Sequence, residues 1–392
     1  MIRIIKNAKV YAPEYLGVKD VVLVGDKIHS IGNDLSIENN NAVITNIIDG
    51  NGKILTPGFI DNHVHIMGGG GEGGFKTRTP EIKLTDITTG GITTIIGCLG
   101  TDGIARDMIS LLAKARGLEE EGITTYIYTG SYQIPVTTIT GDVAKDIMIV
   151  DKIIGVGEIA ISDHRSSQPT LNELRKLTSS ARVAGILSGK AGIVNIHVGD
   201  GTSKIDYLIE IVNNTEIPYT QFIPTHMNRN EELFLQGIEY SKSGGFIDFT
   251  TSSDPLFWEE GEVKVSVALK RCYDAGVPDT NITLSSDGQG SLPSFNDKKE
   301  FVGIKVGKVT SLFNEVRDAV LEEGLPLEKV LKTITSNPAA LLKLKGKGQI
   351  KEGYDADIVL LDEKNLEIDT VIAKGQIMIE NKEIKVFNTF GE

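Results

Sequence analysis

The sequence predicts an α/β fold: a (β/α)8 TIM-like barrel carrying a small β-sandwich domain formed by both termini. Three observations lead there. Through the middle of the 392-residue chain, short apolar β-branched runs alternate with longer stretches of helical period, which implies βα units and a parallel sheet. Eight βα units over roughly 280 residues come close to the ~250 of a typical barrel. Both ends instead read as short strands and turns. The expected division is 1–56 with 346–392 for the β domain and 57–345 for the barrel. A doubly wound open sheet is the structural alternative.

Taken in order, "DVVLVGDKIHSIG" gives two β-branched runs joined by a turn at Gly25-Asp26, and "AVITNIIDGNGKIL" follows with the same texture. The barrel strands are expected at 58–65, 93–100, 124–130, 155–162, 192–198, 220–226, 246–252 and 281–287. Helical period marks 107–122, 170–185 and 309–324 between them. At the C-terminal end, "QIKEGYDADIVLLD", "DTVIAKGQIMIE" and "KEIKVF" are strand-like, with turns at Gly353-Tyr354 and Glu380-Asn381-Lys382.

Composition narrows the function. A hydrophobic fraction of 40%, a charged fraction of 24% and 43 glycines describe a globular chain with many tight turns. The start "MIRIIKNAKVYAPE" lacks an apolar signal core, and no run approaches the ~18 residues of a spanning helix, so a cytoplasmic protein is expected. The net charge of -13 without a basic block disfavours nucleic acid and anionic membrane as partners. Cys98 and Cys272 stand far apart in no metal or redox spacing, and are expected to be buried apolar thiols.

The histidines carry the chemical signal. Strand residues two apart share a face, so His63 and His65 in "PGFIDNHVH" can hold one ion between them. His197 ends "AGIVNIH", His226 ends "YTQFIPTH" and Asp287 ends "NITLSSD". These are strand C-termini, where barrel enzymes carry their active sites. From His65 to Glu158 is 93 residues, then 39 to His197, 29 to His226 and 61 to Asp287. At roughly 30–35 residues per βα unit, those steps place the ligands on strands 1, 4, 5, 6 and 8. Imidazole and carboxylate together suit zinc. His29, beside a hairpin, and His164, between Asp163 and Arg165, read as ordinary polar residues, with a supporting place behind the ligands as the alternative for His164.

Behind the paired histidines comes "GGGGEGG". Glycine lets backbone approach a ligand closely, which suits a pocket wall from which Glu72 projects toward a substrate ammonium group. The tract contains GxGxxG, but the βαβ context of a dinucleotide site is missing. Arg165 and Arg229 follow strand ends closely, as "SDHR" and "THMNR", where a guanidinium fork can clamp a carboxylate. One acid for an ammonium group and two bases for carboxylates describe a small acidic dipeptide.

"PGFIDNHVH", the later lone histidines, "LSSDG" and "GQIKEGYDADIVLLD" together resemble the amidohydrolase superfamily of metal-dependent barrel hydrolases. More narrowly, "HVHIMGGGGEGG", "TGSYQIPVTTITG", "AISDHRSSQP", "PTHMNRN" and "LSSDGQGS" are similar to its isoaspartyl dipeptidase branch, over nearly the whole chain. The resemblance implies two zinc ions per chain: one held by His63, His65 and Asp287, the other by His197 and His226, with a bridging carboxylate and a bridging hydroxide. It implies hydrolysis of the β-aspartyl bond in dipeptides, with Asp287 as general base and acid and Tyr132 polarising the scissile carbonyl or stabilising the oxyanion. It assigns the ammonium contact to Glu72 and adds Gly70, Thr101 and Ser291 to the substrate contacts. It also implies a homo-oligomer, with an octamer as the form to test. The bridge is usually a carboxylated lysine in that family, whereas Glu158 stands at the matching position here. Its side chain is three atoms shorter, roughly 3–4 Å of reach. Gly155 and Gly157 would let the strand bulge inward to compensate. A one-metal site with Glu158 as a plain strand residue is the alternative. For the function, the alternatives are a cyclic-amide hydrolase of dihydroorotase or hydantoinase type and a non-catalytic scaffold of the same fold.

Overall fold

A computed structural model describes residues 2–36, 45–296 and 301–391. The run read from Ala42 has its first three residues outside these limits. The N-terminal strands are β1 (Ile2–Tyr11), β2 (Tyr15–Val24), β3 (Lys27–Gly32), β4 (Thr45–Asp49) and β5 (Lys53–Pro57). Then come β6 (Phe59–Val64), β7 (Ile92–Gly97), β8 (Thr124–Thr129), β9 (Ile153–Ile161), β10 (Ile193–Val198), β11 (Phe222–Thr225), β12 (Ile247–Thr250) and β13 (Ile282–Ser285). A hairpin of β14 (Ser291–Phe295) and β15 (Phe301–Val306) follows, and the chain closes with β16 (Ile358–Asp362), β17 (Ile368–Ala373), β18 (Gln376–Glu380) and β19 (Glu383–Ile384).

Strands β6 to β11 form one parallel sheet in chain order, and β12 pairs with β13 in a second parallel pair. The expected eight runs are thus all strands, within a few residues of their expected ends. Residues of β6, β7, β9 and β10 are buried at every position, as parallel strands covered on both faces must be. Hydrogen bonds reach across both gaps between the two sheets: Met227 N–H to Asp248 O at 3.2 Å, and His65 N–H to Gly288 O at 2.9 Å. Among the described residues, no helix is long and apolar enough to cross a membrane.

Two of the longest helices form where the sequence supplies both an apolar stripe and a cap. Asp107 accepts from Ser110 N–H ahead of Met108–Glu120, and Thr170 forms a reciprocal box with Glu173 ahead of Leu171–Ser188. Both satisfy backbone donors that a helix start leaves open. The β14–β15 hairpin is an element the sequence pattern missed: Pro293 interrupts the strand signal, and the pair stands outside the βα rhythm.

The two termini share a nine-stranded sheet in the order β19-β18-β17-β16-β5-β1-β2-β3, with β4 parallel to β1. Ile5, Val21, Leu23, Leu55, Ile358, Leu360 and Ile372 form its own apolar cluster, apart from the large core around β6 to β13. Strand β5 ends at Pro57 and β6 begins two residues later, so the first metal-ligand candidates follow directly from the terminal sheet.

Candidate active site

Parallel strands place all their C-terminal ends on one side, and that is where the polar residues gather. His63 lies on β6 and His65 just beyond it, Glu158 on β9, His197 on β10, His226 one residue past β11, and Asp287 two past β13. His63 Nε2 stands 3.3 Å from Glu158 Oε2 and 3.7 Å from Asp287 Oδ1. His65 Nε2 stands 3.4 Å from Glu158 Oε1 and 3.0 Å from Asp287 Oδ1. On the other side of Glu158, its Oε2 is 3.2 Å from His197 Nδ1, which is 2.9 Å from His226 Nε2.

Glu158 reaches this centre because β9 is irregular. Between its pairings of Val156 with Val194 and Ile159 with Ile196, Gly157 and Glu158 face Asn195 alone. That is a bulge. Gly157 has φ 153°, and a Cβ on it would lie 2.8 Å from both Cβ and O of Asn195, so only glycine fits. The short acid gains its reach from the backbone.

Each ring nitrogen that faces away from the centre meets its own partner. His63 Nδ1 is 3.0 Å from Asn195 Oδ1, His226 Nδ1 2.6 Å from Thr250 Oγ1, and His197 Nε2 3.0 Å from Asp163 Oδ2. His65 Nδ1 lies 3.8 Å from Cys98 Sγ. A neutral imidazole that donates outward must point a lone pair inward. Lone pairs of His197 and His226 then face each other across 2.9 Å, an arrangement that calls for a cation. His63 Nε2, Glu158 Oε1 and Asp287 Oδ1 are moreover buried without a hydrogen-bond partner. Two groups of this geometry could hold a metal, His63, His65, Cys98 and Glu158, and Glu158, His197 and His226, and they share Glu158. The donor set fits a pair of divalent cations.

Burial together with His197 pushes the His226 imidazole well below its ordinary value. Burial opposes charge on His63 and His65 too, but Cys98 and the carboxylates of Glu158 and Asp287 beside them hold both imidazoles well above theirs. Burial would raise the Glu158 carboxyl, but His63 and His197 outweigh it and hold it well below the usual range. Burial also pushes the Tyr132 phenol well up, so it stays an O–H donor; its oxygen is 2.9 Å from His197 Nδ1.

The same cavity, about 480 Å³, is walled by the glycine tract. Glu72 Oε1 accepts from Thr101 Oγ1 at 3.0 Å and from Arg165 Nη1 at 3.2 Å, and Oε2 accepts from Ser291 Oγ at 3.3 Å. Gly70, with φ 70°, comes so close that a Cβ would lie 3.2 Å from that of Ser291. Arg165 is also bound two-pronged to Asp163, at 3.0 and 2.7 Å, which holds its fork in place. Arg229 lines the cavity with no side-chain hydrogen bond or ion pair among the described residues.

His29 and His164 lie apart from this cluster and are exposed, His164 at 86%, so the supporting place behind the ligands falls instead to Asp163. Cys98 is buried in an apolar cluster with Ile60, Ile96 and Tyr128, as expected; its Sγ also lies 3.8 Å from His65 Nδ1, and its position just past the end of β7 is the same strand-end signal that marked the histidines.

The sequence pattern of the amidohydrolase family matches residues 54–378. The chain belongs to that family. As an amidohydrolase it is 51% identical to the β-aspartyl dipeptidase of Fervidobacterium islandicum AW-1, solved in complex with β-Asp-Leu dipeptide; the match covers 98% of this chain and 99% of that one, with a TM-score of 0.89. Dihydropyrimidinase from Brevibacillus agri NCHU1002 shares the fold at 18% identity, over 99% and 97% of the two chains and with a TM-score of 0.67. A dihydroorotase from Ehrlichia chaffeensis is 24% identical over 91% of this amidohydrolase and 85% of its own length.

Proposed function

We propose that this amidohydrolase hydrolyses the β-aspartyl (isoaspartyl) bond of dipeptides at a centre that would hold two zinc ions, with Glu158 shared between the two sets of ligands. One observation carries the reading: Glu72, with Thr101, Ser291 and Arg165 on its carboxylate, projects into the same cavity that His65, His197, His226 and Asp287 line. The likeness to a dipeptidase solved with β-Asp-Leu supports it.

In a β-linked dipeptide the aspartyl side-chain carboxyl forms the amide, leaving its α-ammonium and α-carboxylate free side by side. Glu72 takes the ammonium, and the Arg165 guanidinium beside it faces the α-carboxylate. Arg229 clamps the carboxylate of the leaving residue. His63, His65, Asp287, His197, His226 and Glu158 would hold the divalent cations, whose chemistry there would be to supply an ionised water at neutral pH and to polarise the amide carbonyl. Tyr132 donates its O–H to the oxygen that gains charge as the C–O bond forms. Asp287 receives the proton of the attacking water and passes it to the leaving nitrogen as the C–N bond breaks.

We further infer that the two parallel sheets are arcs of one closed (β/α)8 barrel, supported by the hydrogen bonds across both gaps, and that 1–56 with 346–392 make a separate β-sandwich domain. Turnover of β-Asp-Leu, α-Asp-Leu, dihydroorotate and hydantoin tests the substrate reading. Hydrolysis of β-Asp-Leu above the other three is expected; preference for a ring would move the chain to the cyclic-amide hydrolases, toward which the dihydroorotase likeness points.

A further inference from the structure

The loop that carries Glu72 is folded by backbone and hydroxyl hydrogen bonds, such as Gly71 N–H to Thr77 O at 3.2 Å and Gly73 N–H to Thr77 Oγ1 at 3.1 Å, but has few side chains to pack. From Gly68 to Gly74 it is glycine at every position but Glu72, and Gly68, Gly70, Gly71 and Gly74 take positive φ. Its ends, however, meet one buried cation. Arg106, 5% exposed, donates from Nε to Met67 O at 2.9 Å and from Nη2 to Thr79 O at 3.0 Å. Its Nη1 lies 3.4 Å from Asp102 Oδ2, an oxygen that also pairs with Arg78 on the returning limb of the loop. Asp102 follows Thr101, and its other oxygen accepts the N–H groups of Ile104 and Ala105 at 3.1 and 2.8 Å, which folds the segment presenting Thr101.

One guanidinium thus spans both feet of the Glu72 loop and the base of the Thr101 loop. We propose that Arg106 is a positioning residue that sets Glu72 against Thr101 and Arg165, and so gives the site its selectivity for substrates with a free α-ammonium group. This rests on the ammonium contact of Glu72 in the proposed function. In a loop poor in side-chain packing, a buried anchor at both feet adds to the loop's own hydrogen bonds in fixing a recognition group, and a fork with fixed geometry can serve two carbonyls and a carboxylate at once.

The test compares β-Asp-Leu with N-succinyl-leucine, which has the same amide and carboxylate but hydrogen in place of the ammonium group. In Arg106→Met, KM for β-Asp-Leu is expected to rise roughly ten-fold with kcat within about three-fold, while N-succinyl-leucine kinetics stay put. Arg106→Lys, which can satisfy part of the set, should recover part of the loss. Equal losses on both substrates, or an unchanged KM, would overturn the proposal. Should Arg106→Met fail to fold, Asp102→Asn is expected to give a smaller KM rise of the same substrate-specific kind, and its absence counts against the idea equally. Amide exchange of Gly71, Gly74 and Thr77 supplies a readout that needs no turnover: faster exchange in Arg106→Met supports the anchor, and unchanged exchange removes it. A wild-type chain inert toward β-Asp-Leu would sink the substrate reading while leaving this exchange measurement to judge Arg106.

Discussion

Gly157→Ala tests how Glu158 comes to the centre. Ordinary contact begins near 3.4 Å, and the new Cβ would meet Asn195 Cβ and O at 2.8 Å, so the bulge or β10 must move by about 0.6 Å. The strain of a side chain at φ 153° adds about 1–3 kcal/mol, and overpacking a fully buried strand a similar amount. A loss of roughly 2–5 kcal/mol in stability is therefore expected. The movement also separates Glu158 from His197 and Asn195 from His63, and misplacement of reacting groups by 1 Å can cost about a hundred-fold, so turnover should fall roughly ten-fold or more. Urea unfolding gives the first quantity, and β-Asp-Leu turnover with metal content gives the second. A variant with the wild-type urea midpoint and full activity would show that the bulge does not govern Glu158.

Three further outcomes follow from the geometry. Glu72→Gln removes a charge-assisted contact of about 1.5–3 kcal/mol, so kcat/KM for β-Asp-Leu should fall about ten- to hundred-fold, and the preference over N-succinyl-leucine should vanish with it. Asp287→Asn should lower kcat by orders of magnitude, whereas Arg229→Ala should act mainly on KM; near wild-type turnover in Asp287→Asn would remove its role as proton carrier. Away from the site, burial pushes the Glu315 carboxyl up to about 7 from its ordinary 4.5, while it accepts the Ser266 N–H at 2.9 Å. The folded chain then holds a proton that the unfolded chain releases, so this contribution is full below pH 4.5 and is lost as pH rises through about 7. Denaturant titrations at pH 5 and 8 should show up to about 3 kcal/mol of that loss disappear in Glu315→Gln.

Much of this molecule is readable in the chain itself, for physical reasons. Parallel strands buried on both faces must be continuous apolar runs, so the eight strands announce themselves, and a polar residue at the end of each run stands out against it. Gly157 signalled the bulge because no other residue tolerates that backbone. What lay hidden depends on contacts between distant segments. Asp163 looks like any loop acid until His197 and Arg165 are folded against it. Asp102 lies within one turn of Arg106, but the two carbonyls that Arg106 serves, those of Met67 and Thr79, come from a loop 39 and 27 residues earlier in the chain, and no local pattern announces them. Asn195 was within reach of sequence reasoning, two residues before His197 on one strand face, but nothing local said that His63 would lean on it.

The most direct test of the two-cation centre is elemental analysis of the zinc-loaded chain beside Glu158→Gln, each after removal of free metal. The wild type is expected to retain about two zinc per chain, as two-metal hydrolytic sites do, and the variant, whose amide cannot bridge, about one or fewer. A wild-type chain that keeps no metal and still cleaves β-Asp-Leu in the presence of chelator would contradict the account.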